Sequence, residues 1–189
     1  MQITDPQTIP QSSLPLFVFS DSATDFIAFL ITWRTKGTWN HAMLLANQDK
    51  FAAQAWTYAE VPIAVYMKKG SRLEFFSLVN TTANIEKAVQ DYVSRRLAAP
   101  WWHKVYDFVG ILGQAVGMPK IHTPGLEYCS VDVTNCLKTI ANLLPTADQA
   151  TIDAIPNEIN PQDLHDYMVM NPKTFALYGQ YEADEGIQA

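Results

Sequence analysis

Glu127-Tyr128-Cys129-Ser130-Val131-Asp132-Val133-Thr134-Asn135-Cys136-Leu137 is the stretch that organises this chain. Gly125 ends an irregular, proline-bearing approach, and Ser130 to Leu137 then reads as the start of a helix with Val131, Val133 and Leu137 available to pack. Cys129 therefore falls at a helix N-terminus. A thiolate there faces unpaired backbone N–H groups and the positive end of the helix dipole, which stabilise the anion. Such settings activate a thiol, above all beside a histidine. The structural alternative is a small buried hydrophobe, the commoner fate of an isolated cysteine.

Length and composition bound the choices. The 189 residues are 48% hydrophobic and 17% charged, enough for one well-buried core and short for two. One domain is expected, with an extended arm over 1–19, a core over 20–144 and a C-terminal wrap with an acidic tail over 145–189. A net charge of -6 argues against a general nucleic-acid binder, whose phosphate contacts need a basic face. The two cysteines, Cys129 and Cys136, stand seven residues apart. On one helix that holds them about 10 Å from each other, too far for a disulfide. His103, His122 and His165 lack ligand spacing and there is no HExxH or CxxC pair, so neither a metal nor another cofactor is expected.

Met1 to Pro15 is polar and proline-bearing, without the basic start and apolar core of a secretory signal. The expectation is a chain that is cytoplasmic when made, and phage-delivered or virion-associated if it acts elsewhere. Phe26 to Trp33 is too short an apolar run to span a bilayer.

In chain order, Leu16 to Phe19 predicts a short strand, Ser20-Asp21-Ser22 a turn and helix cap, and Ala23 to Arg34 a helix. Trp39 to Ala46 and Phe51 to Trp56 read as a hairpin about the turn Asn47-Gln48-Asp49-Lys50. His41 near the start of the first strand and Gln54 near the end of the second come towards the same end. Gln54, between Ala53 and Ala55 in an otherwise apolar strand, needs a hydrogen-bond partner if buried. Val61 to Met67 and Arg72 to Leu78 predict further strands around a Lys68-Lys69-Gly70-Ser71 turn, and Asn84 to Leu97 a helix packing through Ile85, Val89, Tyr92 and Val93. A second apolar helix is predicted from Lys104 to Val116, carrying Tyr106 and Asp107 in its first turn. In the tail, Asn160 caps a short helix from Pro161 to Met168.

A thiolate nucleophile requires a base within hydrogen-bond reach and a third group that orients the base. Cys129, His41 and Gln54 supply those types. Their order resembles the circularly permuted papain-like enzymes, the NlpC-related group that includes the YiiX-like proteins. Trp39-Asn40-His41-Ala42-Met43-Leu44 is similar to that family's histidine strand and Phe51 to Ala55 to the strand of its third polar residue. Val105-Tyr106-Asp107-Phe108 is similar to a tyrosine-bearing segment ahead of the nucleophile, and Tyr128-Cys129-Ser130 to the cysteine motif. Ser20-Asp21 falls where the family often has Gly-Asp, and Pro161-Gln162-Asp163-Leu164 echoes its C-terminal end. Gln54 stands where these proteins often carry an acid; it can orient an imidazole but cannot stabilise the imidazolium by full charge.

The resemblance implies an α+β, papain-like fold in permuted order, an antiparallel sheet against the cysteine helix. It implies a cysteine peptidase or amidase with Cys129 as nucleophile, His41 as base and Gln54 as orienter. Tyr106 and Tyr128 would contact substrate or oxyanion. Substrates of that group are peptidoglycan peptide amides or acyl lipids, the latter suggesting a membrane or cell-wall surface, and an acceptor other than water would make an acyltransferase. The alternative is a non-catalytic module of a larger assembly, partnered through the N-terminal arm and C-terminal tail.

Overall fold

The strand Leu16–Ser20 (β1) has no polar face: all five of its residues are buried. A strand covered on both sides belongs inside a sheet with material on each face. That is its place in the computed structural model, which describes residues 1–21, 37–54 (Gln54 by its backbone alone), 57–67, 71–104 and 128–183. With His41–Asn47 (β2), Lys50–Gln54 (β3), Tyr58–Pro62 (β4), Arg72–Leu78 (β5) and Phe175–Glu182 (β6) it forms one sheet, in the order β4-β3-β2-β1-β5-β6. Every neighbouring pair is antiparallel. Four helices complete the described α+β fold: Ala83–Ala98 (α1), Cys129–Ile140 (α2), Thr146–Asp153 (α3) and Pro161–Met170 (α4).

Alternation along the strands gives the sheet two buried faces. Phe17 and Phe19 of β1 and Ala42, Leu44 and Ala46 of β2 join Val89, Val133, Leu137 and Ile140 in the core beneath the helices. Leu16, Val18, Met43 and Leu45 point the other way, onto Ile3, Ile9 and Leu14 of the N-terminal arm. The small residues Ala42 and Ala46 let α2 lie close on β2, with Leu137 and Ile140 fully buried between them. Each such side chain contributes about 1.5–3 kcal/mol by leaving water. The arm also covers the outer edge of β6: Ile3 N donates to Gln180 O at 2.7 Å and Gln180 N to Met1 O at 2.9 Å. Its apolar side chains are thus taken up within its own chain.

The hairpin forms as the sequence predicts, with Asn47 opposite Lys50 across Gln48 and Asp49. Two segments differ. The strand expected over Val61 to Met67 is Tyr58–Pro62 followed by a 3-10 turn, Ile63–Tyr66. Pro62 has no N–H for a ladder, and its fixed φ of -54° opens the turn. The C-terminal wrap contains α3 and, in β6, a full strand of the sheet rather than a loose covering. Asn160 caps α4 as expected, accepting from Asp163 N at 2.9 Å. The helices predicted over 23–34 and 104–116, and the turn at 68–70, lie outside the described residues.

A part-buried ion pair fastens α4 to β5. His165 lies edge-on to Phe19 and Phe76 and tilted on Trp39, with ring centroids 5.2, 5.5 and 5.0 Å away. Its Nε2 meets Glu74 Oε2 at 2.7 Å and its Nδ1 meets Asp166 Oδ1 at 3.0 Å. Burial disfavours the cation, yet the bonds to Glu74 and Asp166 outweigh it and raise the His165 pKa. Burial likewise penalises the Glu74 carboxylate, which His165 and Gln180 nevertheless hold below the usual range. The raised histidine contributes stability below about pH 6.5 that is lost as pH rises through its folded value. The lowered carboxylate contributes above about pH 4.3, and loses its share as acid reaches its own folded value. The melting-temperature gap between the parent and His165→Gln is therefore expected to peak near pH 5.5, roughly midway between those limits, and to shrink as pH rises through the folded value of His165. Thermal melts across that range check it; a gap that widens with pH contradicts the pairing.

Candidate functional site

Cys129 is the first residue of α2, a helix of 12 residues. Tyr128 precedes it in extended conformation, with φ -115° and ψ 169°, and makes no side-chain cap hydrogen bond to the first turn. The sequence folds this way because the apolar positions Val133, Cys136, Leu137 and Ile140 share the face turned to the sheet. Cys129 itself is 1% exposed, so its reactivity reports access as well as ionisation. Cys136, two turns on, is also buried and outside any disulfide, and burial pushes its thiol well above the ordinary range.

Two attachments fix the start of α2. Asp132, in the first turn and 1% exposed, accepts from Tyr92 Oη at 2.9 Å and Arg96 Nε at 3.0 Å, both on α1. Arg96 also lies over the Tyr58 ring, 5.0 Å from its centroid. On the other side Ser130 Oγ donates to Ile159 O at 2.5 Å, and Tyr128 Oη donates to Glu158 Oε2 at 3.1 Å. Three residues beyond Ile159, Gln162 Oε1 accepts from Thr38 N at 2.7 Å and Trp39 N at 3.0 Å. The short segment 159–162 thereby ties the start of the cysteine helix to the approach into β2.

His41 is the first residue of β2 and partly exposed, opposite Ser20 of β1. Its Nε2 lies 3.1 Å from Tyr66 Oη, and the two rings stack with centroids 5.8 Å apart. Tyr66 belongs to the core on the arm side, so the His41 ring stands at the end of the sheet, turned to that side. Continuing the pairing of Leu44 with Ala52 by two residues sets Gln54 across from Ala42, one place from His41. The Gln54 side chain, Tyr106, Asp107 and His122 lie outside the described residues. Of the other singled-out residues, His103 is exposed in the turn Trp101–His103, and Tyr128 is buried with its hydroxyl on Glu158. Trp101 and Trp102 of that turn are exposed; no described helix is long and apolar enough to cross a membrane.

Several residues at this end escaped the sequence reading. Tyr66 falls inside the run that predicts a strand, Asp132 is one polar residue in a predicted helix, and Gln162 and Asn40 stand within the short motifs quoted above. The signal for Asp132 is an acid on the apolar side of a helix, with a tyrosine and an arginine four residues apart on another. Among the described residues no three His, Cys, Asp or Glu side chains are grouped to hold a metal ion. No protein-family model matches the chain, and no curated protein matches its sequence.

Breaking a buried pair strands the surviving charge. Asp132→Ala is expected to cost on the order of 3–5 kcal/mol by leaving Arg96 without its carboxylate. Urea unfolding of the two proteins measures it, and a loss below about 1 kcal/mol, as for a surface pair, shows that the network does not hold the helix.

Proposed function

We propose that this protein is a thiol hydrolase of the papain-like type in circularly permuted order, cleaving an amide or ester bond through a thioester on Cys129. The observation that carries this reading is the tie described above: a cysteine opens a helix, and residues 159–162 join that helix start to the approach into β2 beside His41. His41 takes the Sγ proton as sulfur attacks the carbonyl carbon. Backbone N–H groups of the first turn of α2 then stabilise the oxyanion. Collapse of the tetrahedral adduct breaks the bond to nitrogen or oxygen, and the leaving group receives the proton from His41. Water, giving its own proton to His41, attacks the thioester and releases the acid and the thiol.

Tyr66 engages Nε2 of His41, which assigns the proton exchange to Nδ1 and gives Tyr66 an orienting part beside the one assigned to Gln54. Tyr106 remains the assigned substrate contact. Substrates are peptidoglycan peptides or acyl esters, and transfer to an acceptor other than water follows the same first half. A second reading, a binding or structural module on the same fold, is favoured by the burial of Cys129 and by the place of the His41 ring against Tyr66, whose core lies on the sheet face opposite the one that buries α2.

Incubation with purified peptidoglycan peptides and with acyl esters, followed by intact-mass analysis, tests the proposal. An acyl adduct on Cys129 is expected, with turnover reduced on the order of 10⁴-fold or more in Cys129→Ala. Turnover that survives in Cys129→Ala sinks the hydrolase reading; absence of any adduct or product across the panel favours the module.

A further inference from the structure

Asp166 Oδ1 meets two nitrogens of its own helix, His165 Nδ1 at 3.0 Å and Gln162 Nε2 at 2.8 Å. The Gln162 amide cannot turn over, because its oxygen already accepts from Thr38 N at 2.7 Å and Trp39 N at 3.0 Å, and its nitrogen can only donate. Its side chain also occupies the space a Cβ on Gly37 would need. At the other side of the imidazole, His165 Nε2 meets Glu74 Oε2 at 2.7 Å. An unbroken row of polar contacts thus leads from Glu74 on β5 through His165, Asp166 and Gln162 to the two amides at the entry to β2. There Asn40 N donates to Ser20 O at 3.1 Å.

An imidazole set between two carboxylates satisfies both only while each ring nitrogen carries a proton. The neutral ring keeps one proton and turns a lone pair on the other carboxylate. Which carboxylate loses is decided by access to water: the Glu74 side chain is 16% exposed and that of Asp166 is 52% exposed. Asp166 can exchange its partner for solvent, so the proton leaves Nδ1 and stays on Nε2. The other described charges at this place favour the same choice. Arg72 supports the Glu74 carboxylate while bonded to Asp21 at the end of β1, and Glu182 of β6 acts on Arg72. Gln180 of β6 donates to the second Glu74 oxygen, and the remaining described neighbours of the ring, Phe19, Trp39 and Phe76, are uncharged.

We propose that this row is a proton-operated clamp on the entry to β2: with His165 doubly protonated, Asp166 and Gln162 hold the Thr38 and Trp39 amides, and loss of the Nδ1 proton turns Asp166 into water and slackens Gln162. Burial opposes the charged ring, but the two carboxylates raise its pKa above the ordinary 6.5. The clamp is therefore closed below about pH 6.5 and opens as pH rises through the folded value. It stands apart from the thiol-hydrolase reading, since it concerns residues 37–40 whatever chemistry they serve.

The test is made on the full chain by NMR from about pH 5 to about pH 9, following the His165 ring nitrogens and the solvent exchange of the Thr38 and Trp39 amides, corrected for intrinsic pH dependence. Protection of both amides is expected to fall about threefold to tenfold, the worth of one hydrogen bond, along the titration curve of the ring. The neutral ring is expected to carry its proton on Nε2. Asp166→Ala removes a half-exposed side chain and cuts the row, so the ring should still titrate against Glu74 while the two amides stay at the slack level throughout. A direct effect of the ring on its neighbour Trp39 would persist in that variant. The clamp is overturned by amide protection that ignores the titration in the parent, by a pH dependence that survives Asp166→Ala, by a neutral ring protonated on Nδ1, or by a ring that does not titrate across this range.

Discussion

Ser130 Oγ donates to Ile159 O, and three residues later one side-chain oxygen of Gln162 collects the amides of Thr38 and Trp39. The candidate site depends on that pair of attachments. α2 and β2 are far apart in the chain, and their packing fixes how close their axes come without fixing how far one slides along the other. Apolar contact is non-directional. The hydrogen bonds at 159–162 are directional, and they register the first turn of α2 against the first residues of β2. Asp132 with Tyr92 and Arg96 supplies the same service towards α1. The helix start is held from two sides; towards the far end of α2, Leu137 and Ile140 pack in the core and Lys138 Nζ donates to Asn157 Oδ1.

The buried polar groups fall into two kinds. Asp148 accepts from Asn80 and Thr174, His165 lies between two carboxylates, and Asp132 has its tyrosine and arginine. These groups are satisfied within the chain, and each joins one element to another. Asn40 and Thr134 are the other kind, buried with side-chain polar atoms that have no partner among the described residues.

Much of the fold was legible. The unbroken apolar run of β1, the hairpin turn around Gln48 and Asp49, Asn160 as a helix cap and the spacing in α1 are local signals, and local signals survive folding. Placing Cys129 at a helix start came from the same kind of evidence. What escaped depends on tertiary pairing. β6 carries exposed Leu177 and a glycine at position 179, so its alternation is imperfect, and only pairing with β5 makes it a strand. The Tyr66 contact to His41 depends on the turn that Pro62 opens, and Gln162 on a 124-residue separation from Thr38. Nothing near either residue in sequence announces those partners.

The central claim is that the Cys129 thiol and the His41 imidazole form one chemical unit. Its most direct measurement is the pH dependence of iodoacetamide labelling, read separately at Cys129 and Cys136 in the parent and in His41→Ala. Rapid labelling of Cys129 below neutral pH, lost on removal of His41 while Cys136 stays slow in both proteins, is the expected result. Equal, slow labelling of both cysteines in the folded parent, or a Cys129 profile indifferent to His41, would contradict it.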